Sequence, residues 1–418
     1  MPDIAITGTG IVSALGCAVD GFHRGLMAGE VAIRQAPWAA EVPGRAAWWG
    51  TVTDFRAADW MDAQIESGTD LFAQFALAAA AQAMRQSGLD EPDPDRTGVV
   101  HGTSIGGARA VMKAQYLLDR EGPDAIPRKT AIQIWPNMAA AQIAMRYRLH
   151  GPNLTVTTAC ASSLDAIGTA ARLIAGGQAD VIIAGATEGG ISLAGGAADG
   201  GFVPAMFYTS TLYGMEAPAD DARRAIMPFD RKRKGIVVGE GAAMLVLERG
   251  DHARSRGARI LGYLRGYGSI ADAFHPSAPE PSGKWEARAM QLALADAGIG
   301  AQEVDALIAH ATGTPKGDTA EIRAINLVHG TRGRPLPVAS IKGHIGHSGA
   351  ASGAMAIITG LLGMTEDRFV HTANTDEPDL EAQFDVVIGA PRSMAYRTLQ
   401  VNSFGFGGQN ASVIVTGP

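Results

Sequence analysis

Cysteine is scarce in this chain: its 418 residues include only Cys17 and Cys160. A scaffold held together by disulfides would show several paired cysteines, so a disulfide framework is implausible here. A reducing compartment fits this usage better. The first ten residues show neither the basic nor the apolar region of a leader, so we expect no signal peptide. We therefore expect a cytoplasmic protein.

Charge is also limited: charged residues make up 18% of the chain, and the net charge is −7. Proteins that bind nucleic acids usually carry a basic excess, so we expect no nucleic-acid partner. Long apolar runs are missing as well. The longest stretch without a formal charge, residues 343–365, contains two histidines and is interrupted by Gly and Ser. We expect no membrane span there.

The chain does have many glycines and many short apolar runs. Glycine accounts for 53 of the 418 residues, nearly twice its usual share of ~7%. Because single cores stop growing near ~250–300 residues, we expect two similar lobes or one large layered domain. Strand-like runs alternate with Ala-rich helical stretches, which favours a layered α/β fold. The predicted strands are 4–7, 98–100, 154–158, 181–184, 243–248, 307–309, 386–388 and 412–415, and the predicted helices are 72–87, 161–175, 285–297 and 349–364.

Three segments of the first half resemble three segments of the second half, in the same order. The pairs are 99–104 with 308–313, 154–157 with 336–339, and 239–247 with 407–415. A duplicated fold would place equivalent elements around a pseudo-twofold axis, so Cys160 and His347 could meet at one centre. Chance similarity is the alternative in a chain so rich in Gly, Ala and Val. We assign the halves to residues 1–250 and 251–418.

Cys160 lies in the sequence Thr158-Ala159-Cys160-Ala161-Ser162-Ser163, between a predicted strand and a predicted helix. The dipole and free N–H groups of a helix N-terminus favour thiolate over thiol. A thiol pKa lowered from ~8.5 to ~7 raises the thiolate fraction at pH 7 from ~3% to ~50%. Cys160 is therefore a candidate nucleophile. The alternative is a buried, inert cysteine, which is the commoner state of a free cysteine.

Three polar residues of the second half could join this thiol. His310 ends a predicted strand, at the edge where ligand sites of α/β proteins gather. His347 precedes a helix of small residues, whose N-terminus would favour a neutral imidazole that can donate to a carbonyl oxygen. Lys342 lies five residues before it. Each histidine could instead be purely structural. His344 and His347 are spaced like a metal pair, but no cysteine or carboxylate cluster supports a metal site, and we expect none.

Two further patterns allow both a structural and a functional interpretation. The spacing of Asp318 and Glu321 is that of a capping box at a helix start, whereas the functional alternative pairs Glu321 with Lys342. The loop 403–408 is rich in glycine, which lets backbone N–H groups turn toward a ligand as in an oxyanion hole. It could equally be a hairpin bend. Residues 200–221 are interpreted as a pocket wall or subunit contact, or else as a buried connection.

Taken together, these residues resemble the elongating β-ketoacyl-acyl carrier protein synthases, which are condensing enzymes of the thiolase fold. The resemblance spans nearly the whole chain. It is carried by residues 6–13, 158–163, 239–241, 310–315, 342–347 and 402–408. Each motif alone is weak evidence for this family, but the occurrence of all of them in the same order is highly specific. The resemblance implies a five-layer αβαβα architecture built from the two halves.

The resemblance also implies roles for individual residues. Cys160 would accept the acyl chain, and His310 and His347 would hold the malonyl thioester while carbon dioxide leaves. The N–H groups of Cys160 and Phe406 would form the oxyanion hole, and Phe406 would also gate the acyl chain. Lys342 and Glu321 would orient the histidines. The implied substrate-binding residues are Thr312, Thr314, Ile236, Phe404, Gly405 and Gly407. No metal or redox cofactor is needed, because decarboxylation supplies the carbanion and the substrates travel on the phosphopantetheine arm of acyl carrier protein.

The chain departs from the family pattern at several positions. The usual Asp-Gly-Phe before the Gly-Glu-Gly turn is Lys234-Gly235-Ile236 here, which suggests a reshaped acyl pocket. The family often carries basic residues for carrier docking near 61–72, but the stretch 61–66 has no Lys or Arg here. Arg128 and Lys129 do match a basic docking pair, so we expect the acidic carrier to bind there and at 231–234. The alternative for 231–234 is a turn whose charges are simply solvated.

The partners implied are acyl carrier protein and a second subunit, in a homodimer or in a heterodimer with a chain-length partner. The competing hypothesis is that this chain is itself a non-catalytic chain-length subunit. Those subunits usually lack the nucleophile, which is present here. A thiolase would need a second active cysteine near its C-terminus, and no cysteine follows Cys160.

Overall fold

The computed structural model describes residues 3–35, 48–189 and 220–418. Residues 200–219 of the predicted pocket wall or subunit contact therefore lie outside the described residues. The strands are β1 Ile4–Val12, β2 Arg34–Gln35, β3 Trp48–Trp49, β4 Thr97–Gly102, β5 Asn153–Val156, β6 Val181–Glu188, β7 Gly241–Arg249, β8 Gly262–Ala271, β9 Ala306–Ile308, β10 Pro337–Ala339, β11 Arg368–Phe369, β12 Asp385–Val386, β13 Arg392–Ser393, β14 Thr398–Gly405 and β15 Gln409–Thr416.

Helices alternate with these strands, as the sequence predicts. The α-helices are α1 Val19–Ala28, α2 Ala63–Gly68, α3 Leu71–Ser87, α4 Ala108–Glu121, α5 Thr130–Gln133, α6 Met138–Tyr147, α7 Ser162–Ala175, α8 Ala222–Ala225, α9 Gly250–Ser255, α10 Lys284–Ala297, α11 Pro315–His329, α12 Lys342–Ile345 and α13 Ser352–Glu366. In the described part of the chain, no helix has both the length and the apolar character needed to cross a membrane.

The two halves contain sheets of the same topology. In the first half the strand order is β5, β4, β6, β7, β1, and in the second it is β10, β9, β14, β15, β8. When β2, β3 and β11–β13 are left out of the count, each half places its third, second, fourth, fifth and first strand side by side. A short antiparallel pairing of β1 with β8 joins the two sheets, and β12 extends the second one. The resembling segments fall on equivalent strands, namely β4 with β9, β5 with β10 and β7 with β15. The predicted duplication is confirmed, while the boundary at residue 250 stays a prediction.

The layers follow from which sheet each helix contacts. Helices α3 and α6 cover the outer side of the first sheet. Helix α10 packs on the outer side of the second, and α11 lies against α10 and shares a hydrophobic cluster with β9, β10 and β15. Helices α7 and α13 contact each other and lie between the sheets, where Leu164, Ile167 and Ile357 are fully buried. The predicted five-layer αβαβα architecture is confirmed. Its middle layer begins beside the candidate site, since α7 follows Cys160 and α13 follows His347.

Glycines in β1 allow this strand to touch α3. A Cβ atom on Gly8 would lie 2.0 Å from the carbonyl oxygen of Ala83, and one on Gly10 would lie 1.9 Å from that of Ala79. Any side chain there would push the outer helix away from the sheet. The Gly-Thr-Gly sequence is therefore a packing feature of the strand.

Several predicted elements differ from those observed. The predicted strand 154–158 is Asn153–Val156, which is the edge strand of its sheet, and Leu154 there is exposed. The predicted strand 386–388 is Asp385–Val386. Strands β8 and β14 were not predicted, because glycines in β8 and polar residues in β14 interrupt their apolar patterns.

Candidate active site

Cys160 lies at a turn between a strand and a helix, as predicted. Strand β5 ends at Val156, a 3-10 turn covers Ala159–Ala161, and α7 begins at Ser162. Ala159 has a φ of 48°, in the left-handed region that residues with a side chain rarely adopt. The Ser162 hydroxyl holds this turn by accepting from the N–H of Thr158 at 2.9 Å and donating to the Ala159 carbonyl at 2.6 Å. This local geometry fixes the direction of the thiol.

The thiol and two imidazoles converge, although they come from opposite halves. Nε2 of His347 lies 2.9 Å from Sγ of Cys160. The rings of His310 and His347 are perpendicular, with centroids 5.1 Å apart. One ligand atom from each of the three residues lies within 4.8 Å of the other two. His310 follows β9 and His347 follows α12, so the duplicated fold brings them to the thiol, as the sequence predicts.

Ser352 is a site residue that the sequence analysis missed. Its hydroxyl lies 3.0 Å from Nδ1 of His347, and the residue is 4% exposed. A hydroxyl can donate to an unprotonated Nδ1 or accept from a protonated one. Ser352 therefore holds the ring with Nε2 toward the thiol, whichever nitrogen carries the proton. The only signal in the sequence is a serine at the start of the helix that follows His347.

Glu321 and Lys342 hold the backbone of His310 from both sides. The Glu321 carboxylate accepts from the N–H of His310 at 2.9 Å and from that of Ala311 at 2.6 Å. The Lys342 ammonium donates to the carbonyl oxygen of His310. Among the described residues, the ion pairs do not include Glu321 with Lys342, so the predicted direct pair is wrong. The two side chains meet through the His310 peptide because both are buried under its loop.

The predicted capping box at Asp318 and Glu321 is also wrong. Helix α11 begins at Pro315, so both residues lie inside it. The Asp318 carboxylate instead accepts from the N–H groups of Phe229, Thr312 and Gly313 at 2.7–3.0 Å. It fixes the loop between His310 and the helix.

Two more buried carboxylates support the site and were not predicted. Asp165 accepts from the hydroxyls of Thr158 and Tyr267, each at 2.6 Å. Glu188 accepts from the N–H of Ser104 at 3.0 Å and from that of Ala350 at 3.3 Å. Asp165 thus stabilises the turn before the nucleophile, and Glu188 ties β6 to the segment that follows His347.

The expected lowering of the Cys160 pKa is wrong. Burial raises the pKa of this thiol to about 11, and the nearby Glu188 carboxylate adds to the effect. The Lys342 charge and the N–H groups of Phe406 and Cys160 act in the opposite direction, without overcoming burial. Because taking a thiolate out of water costs more than the helix terminus returns, the resting nucleophile is a neutral thiol.

Burial also shifts the pKa of each ionisable group around the thiol toward its neutral form. Burial lowers the pKa of His347 and of His310 well below the ordinary value, and the Lys342 charge adds to this in both. Burial also lowers the pKa of Lys342 to about 8 and raises that of Glu321 to about 7. Both imidazoles are therefore neutral at pH 7, as the sequence analysis expected for His347, and each can offer one N–H to a carbonyl oxygen.

The loop 403–408 is both a hairpin bend and a wall of the site. Strands β14 and β15 pair through residues Gly405 and Gln409, so residues 406–408 form the turn. The Ser403 hydroxyl donates to the carbonyl of Cys160 at 2.7 Å. A Cβ atom on Gly405 would lie 3.0 Å from the nitrogen of Cys160. Glycine there lets the N–H of Phe406 reach the sulfur, where the N–H of Cys160 also points.

A cavity of about 770 Å³ opens onto this centre. Several predicted substrate-binding residues line it, and the Phe406 side chain is 49% exposed at its wall. These residues are Thr312, Thr314, Ile236, Phe404 and Gly405. Gly407 does not line the cavity: its N–H donates to the carbonyl of Pro276 at 2.7 Å, and its φ of 80° serves the turn. That predicted contact is therefore replaced by a structural role.

The predicted docking residues lie at the surface. Arg128 and Lys129 are exposed, and the Lys129 ammonium donates to the Ser67 hydroxyl at 2.6 Å. Neither residue lines the cavity, whereas Lys234 and Lys316 do. Basic groups therefore lie on the surface and at the cavity wall.

The thiol and the two imidazoles are close enough to hold a metal ion together. Thiolate and neutral imidazole are ligands that zinc prefers. Here the same three groups provide a nucleophile and two N–H donors beside an oxyanion hole, which suits acyl transfer and the stabilisation of an enolate. That the enzyme needs no metal or cofactor stays a prediction.

Comparison with known proteins agrees with this arrangement. The sequence models for the beta-ketoacyl synthase N-terminal and C-terminal domains match residues 1–253 and 261–376. The 3-oxoacyl-[acyl-carrier-protein] synthase 2 of Rhizobium meliloti is 38% identical, and that of Coxiella burnetii is 35% identical. These alignments cover 99% of this chain and 98–99% of the relatives.

Solved structures give the same result. A beta-ketoacyl synthase from Burkholderia phymatum has a TM-score of 0.90 at 30% identity, covering 100% of both chains. The AntDE:AntF complex, described as a type II PKS acyl-carrier protein with its ketosynthase, has a TM-score of 0.89 at 27% identity, covering 100% of this chain and 99% of that one.

The fold and the cysteine–histidine centre define an acyl-transferring condensing enzyme of the thiolase fold. The chain belongs to the beta-ketoacyl synthase family.

Proposed function

We propose that this enzyme lengthens an acyl chain by decarboxylative Claisen condensation with malonyl-acyl carrier protein, in fatty-acid or type II polyketide or polyene synthesis. The observation that carries this proposal is the 2.9 Å contact between the Cys160 thiol and Nε2 of His347, with His310 at the same cavity. Synthases named for this reaction are 33–38% identical over nearly the whole chain.

The first half-reaction transfers the acyl group to Cys160. Its sulfur attacks the thioester carbonyl of acyl-carrier protein, and its proton passes to Nε2 of His347. The tetrahedral oxyanion is held by the N–H groups of Cys160 and Phe406. The carrier thiolate then leaves and takes the proton back from His347. Because both the thiol and the imidazole start neutral, no charge has to be buried before the substrate binds.

The second half-reaction forms the carbon–carbon bond. Between the half-reactions the proton of His347 exchanges through water from Nδ1 to Nε2, and the Ser352 hydroxyl can bond Nδ1 in either form. The N–H groups of His310 and His347 then donate to the carbonyl oxygen of the malonyl thioester, which stabilises the enolate formed as carbon dioxide leaves. The enolate carbon attacks the acyl-Cys160 carbonyl, and the sulfur is expelled as a thiolate that takes one proton from water. The product is a 3-ketoacyl thioester two carbons longer. The bonds from Glu321 and Lys342 to the His310 peptide keep its ring in place during this step.

Replacement of Cys160 tests this function directly. We expect Cys160→Ala to abolish acylation and condensation, followed by intact mass and by product from malonyl-carrier protein. Cys17→Ala is the matched control, since Cys17 contacts Asp54 away from the cavity lining, and it should remain active. Full condensing activity in Cys160→Ala would contradict the proposal.

The chemical type of the acyl group is the open part of the proposal. Ile236 lines the cavity where the family usually has a phenylalanine, so we expect a pocket different from that of ordinary fatty-acid synthases. Exposure of the enzyme to a panel of acyl-carrier proteins, followed by intact mass of the Cys160 adduct, would identify the group transferred. Acylation would also eliminate the non-catalytic chain-length alternative.

Carrier protein and a second subunit are the partners in this proposal. The neighbours include a ketosynthase with its acyl-carrier protein and the ishigamide ketosynthase/chain length factor, the latter at a TM-score of 0.88 and 30% identity. For the carrier we expect Arg128→Glu to raise KM for carrier-bound substrates but not for small thioesters. The same change in an exposed arginine of the second half of the chain, Arg334→Glu, is the control.

For the second subunit, the edge strand β5 is the surface that supports pairing. Its outer backbone groups have no neighbouring strand in the described sheet, and Leu154 is 43% exposed. Such edges readily pair with another chain. We propose a second copy as the partner and expect Leu154→Asp to shift the molar mass from dimer to monomer in light scattering. A monomeric parent protein that dimerises only with a chain-length partner would support the heterodimer.

We also keep a cytoplasmic location in the proposal, since both cysteines are free.

A further inference from the structure

Glu286 is a buried acidic residue in the cavity wall that the mechanism above does not use. It lies in the first turn of α10 and is 2% exposed. It lines the same cavity as Cys160, Thr312 and Asn410. In the described part of the chain, its Oε2 has no hydrogen-bond partner. Buried polar atoms are nearly always bonded, so this oxygen calls for a partner that the chain does not provide.

The neighbouring carboxylates differ, because each is already bonded to the protein. Asp272 accepts from the Asn410 amide and from the N–H of Glu280. Asp318 and Glu321 accept from backbone N–H groups near His310, as described above. Glu286 is the member of this group with an unbonded carboxyl oxygen, Oε2, which is itself closed off from solvent, and the residue is among those that line the cavity. Its arrangement is that of a group kept for a ligand.

The surroundings also determine its protonation. Burial raises the pKa of Glu286 well above the ordinary value, and the charges of Glu321, Asp272 and Asp318 raise it further. Burial and these charges therefore favour the neutral carboxylic acid over the carboxylate. Such a group offers one O–H donor and one carbonyl acceptor, so it matches a ligand that is uncharged and carries both functions.

The position of Glu286 indicates which part of a substrate it meets. Two of the carboxylates whose charges act on Glu286 belong to known parts of the site. Glu321 holds the His310 loop, and the N–H of Asp272 donates to the carbonyl of Gly408 in the hairpin turn at 2.8 Å. These two loops border the approach to the Cys160 thiol. On the proposed function, the segment that fills this approach is the pantetheine arm, which contains two amide groups and no charge beyond its phosphate.

We propose that Glu286 binds an amide group of the pantetheine arm, donating its O–H to the amide carbonyl or accepting from the amide N–H. This inference rests on the proposed function, and it adds a binding residue for the substrate on the wall that also carries Thr312. An amide matches a neutral carboxyl in both directions, whereas an alkyl chain would leave Oε2 unbonded in a dry site.

The test compares variants that keep or remove this hydrogen bond. Glu286→Gln keeps one donor and one acceptor, and Glu286→Leu removes both. Acylation of Cys160 is followed by intact mass with three acyl thioesters, namely those of pantetheine, N-acetylcysteamine and ethanethiol. They contain two amides, one amide and none. We expect the Leu variant to raise KM for the pantetheine thioester about 5–10-fold, the ratio that one lost hydrogen bond predicts. The ethanethiol thioester should be unaffected, and the Gln variant should stay within about twofold of the parent for all three.

Other outcomes would overturn the inference. An equal loss with all three thioesters would mean a structural role, and a loss confined to malonyl substrates would mean that Glu286 contacts the malonyl carboxylate instead. Glu280→Gln is the matched control, since this neighbouring carboxylate does not line the cavity. Should the Leu variant fail to fold, Glu286→Met makes the same comparison. Failure of the parent enzyme to accept any acyl group would refute the proposed function, whereas an acylated parent with an unaffected Leu variant would refute this inference alone.

Discussion

The neutral resting state of Cys160 gives a measurable pH dependence. With a pKa of about 11, the thiolate fraction at pH 7 is about 1 in 10,000, against ~3% for an ordinary thiol of pKa ~8.5. Alkylating reagents react with the thiolate, so alkylation at pH 7 should be roughly 300-fold slower than for an exposed thiol. The rate should rise about tenfold per pH unit between pH 7 and 9, because the thiol remains far below its pKa.

The assay is alkylation of Cys160 by iodoacetamide, followed by intact mass in a Cys17→Ser background so that only one thiol reacts. The same protein unfolded in denaturant is the control and should titrate as an ordinary thiol. Because burial is the main cause of the raised pKa, the folded and unfolded curves should converge only at high pH. A folded-state rate that is high at pH 6 and level up to pH 8 would reveal a thiolate–imidazolium pair and refute the reasoning.

Three other perturbations test the geometry of the site. Ser352→Ala removes the hydrogen-bond partner of Nδ1 of His347. Because one hydrogen bond contributes about 1 kcal/mol, we expect about fivefold slower decarboxylation of malonyl-carrier protein. Ser352→Thr should restore the rate, and an unchanged rate in Ser352→Ala would exclude the positioning role. Gly405→Ala places a Cβ atom 2.9 Å from the Thr158 carbonyl and 3.0 Å from the nitrogen of Cys160. We therefore expect at least tenfold slower acylation, measured by intact mass. Normal acylation would show that the hairpin need not lie this close to Cys160. Added zinc should inhibit the enzyme reversibly by binding the thiol and imidazoles, and prior acylation of Cys160 should protect against this inhibition. Chelators should leave activity unchanged, whereas loss of activity on chelation would reveal a required metal.

Local sequence was enough to predict the turn that carries Cys160. A strand, a small-residue turn and a helix follow one another along the chain, and each has its own pattern. The internal resemblance also predicted which strands are equivalent. Strand β8 escaped prediction because its glycines, which let α10 approach, remove the apolar pattern. Exposure of β5 escaped it too, since an edge position depends on strand order and not on local residues.

Interactions between distant segments were less predictable. The sequence suggested that Glu321 and Lys342 form a pair, but it could not show that the His310 peptide lies between them. It placed Ser352 in a helix without indicating that its hydroxyl reaches the ring of His347. The unbonded oxygen of Glu286 has no sequence signal at all, because a glutamate in the first turn of a helix usually faces water.

The sequence by itself determined the duplicated α/β architecture, the family motifs and the identity of the reacting groups, because periodicity and motif spacing are properties of short segments. Only the tertiary structure decided the protonation of those groups. The pKa of Cys160 depends on how much water the assembled halves exclude, and burial there outweighs the local helix terminus that suggested a thiolate. Exclusion of water is a property of the packed molecule, so no single segment encodes it.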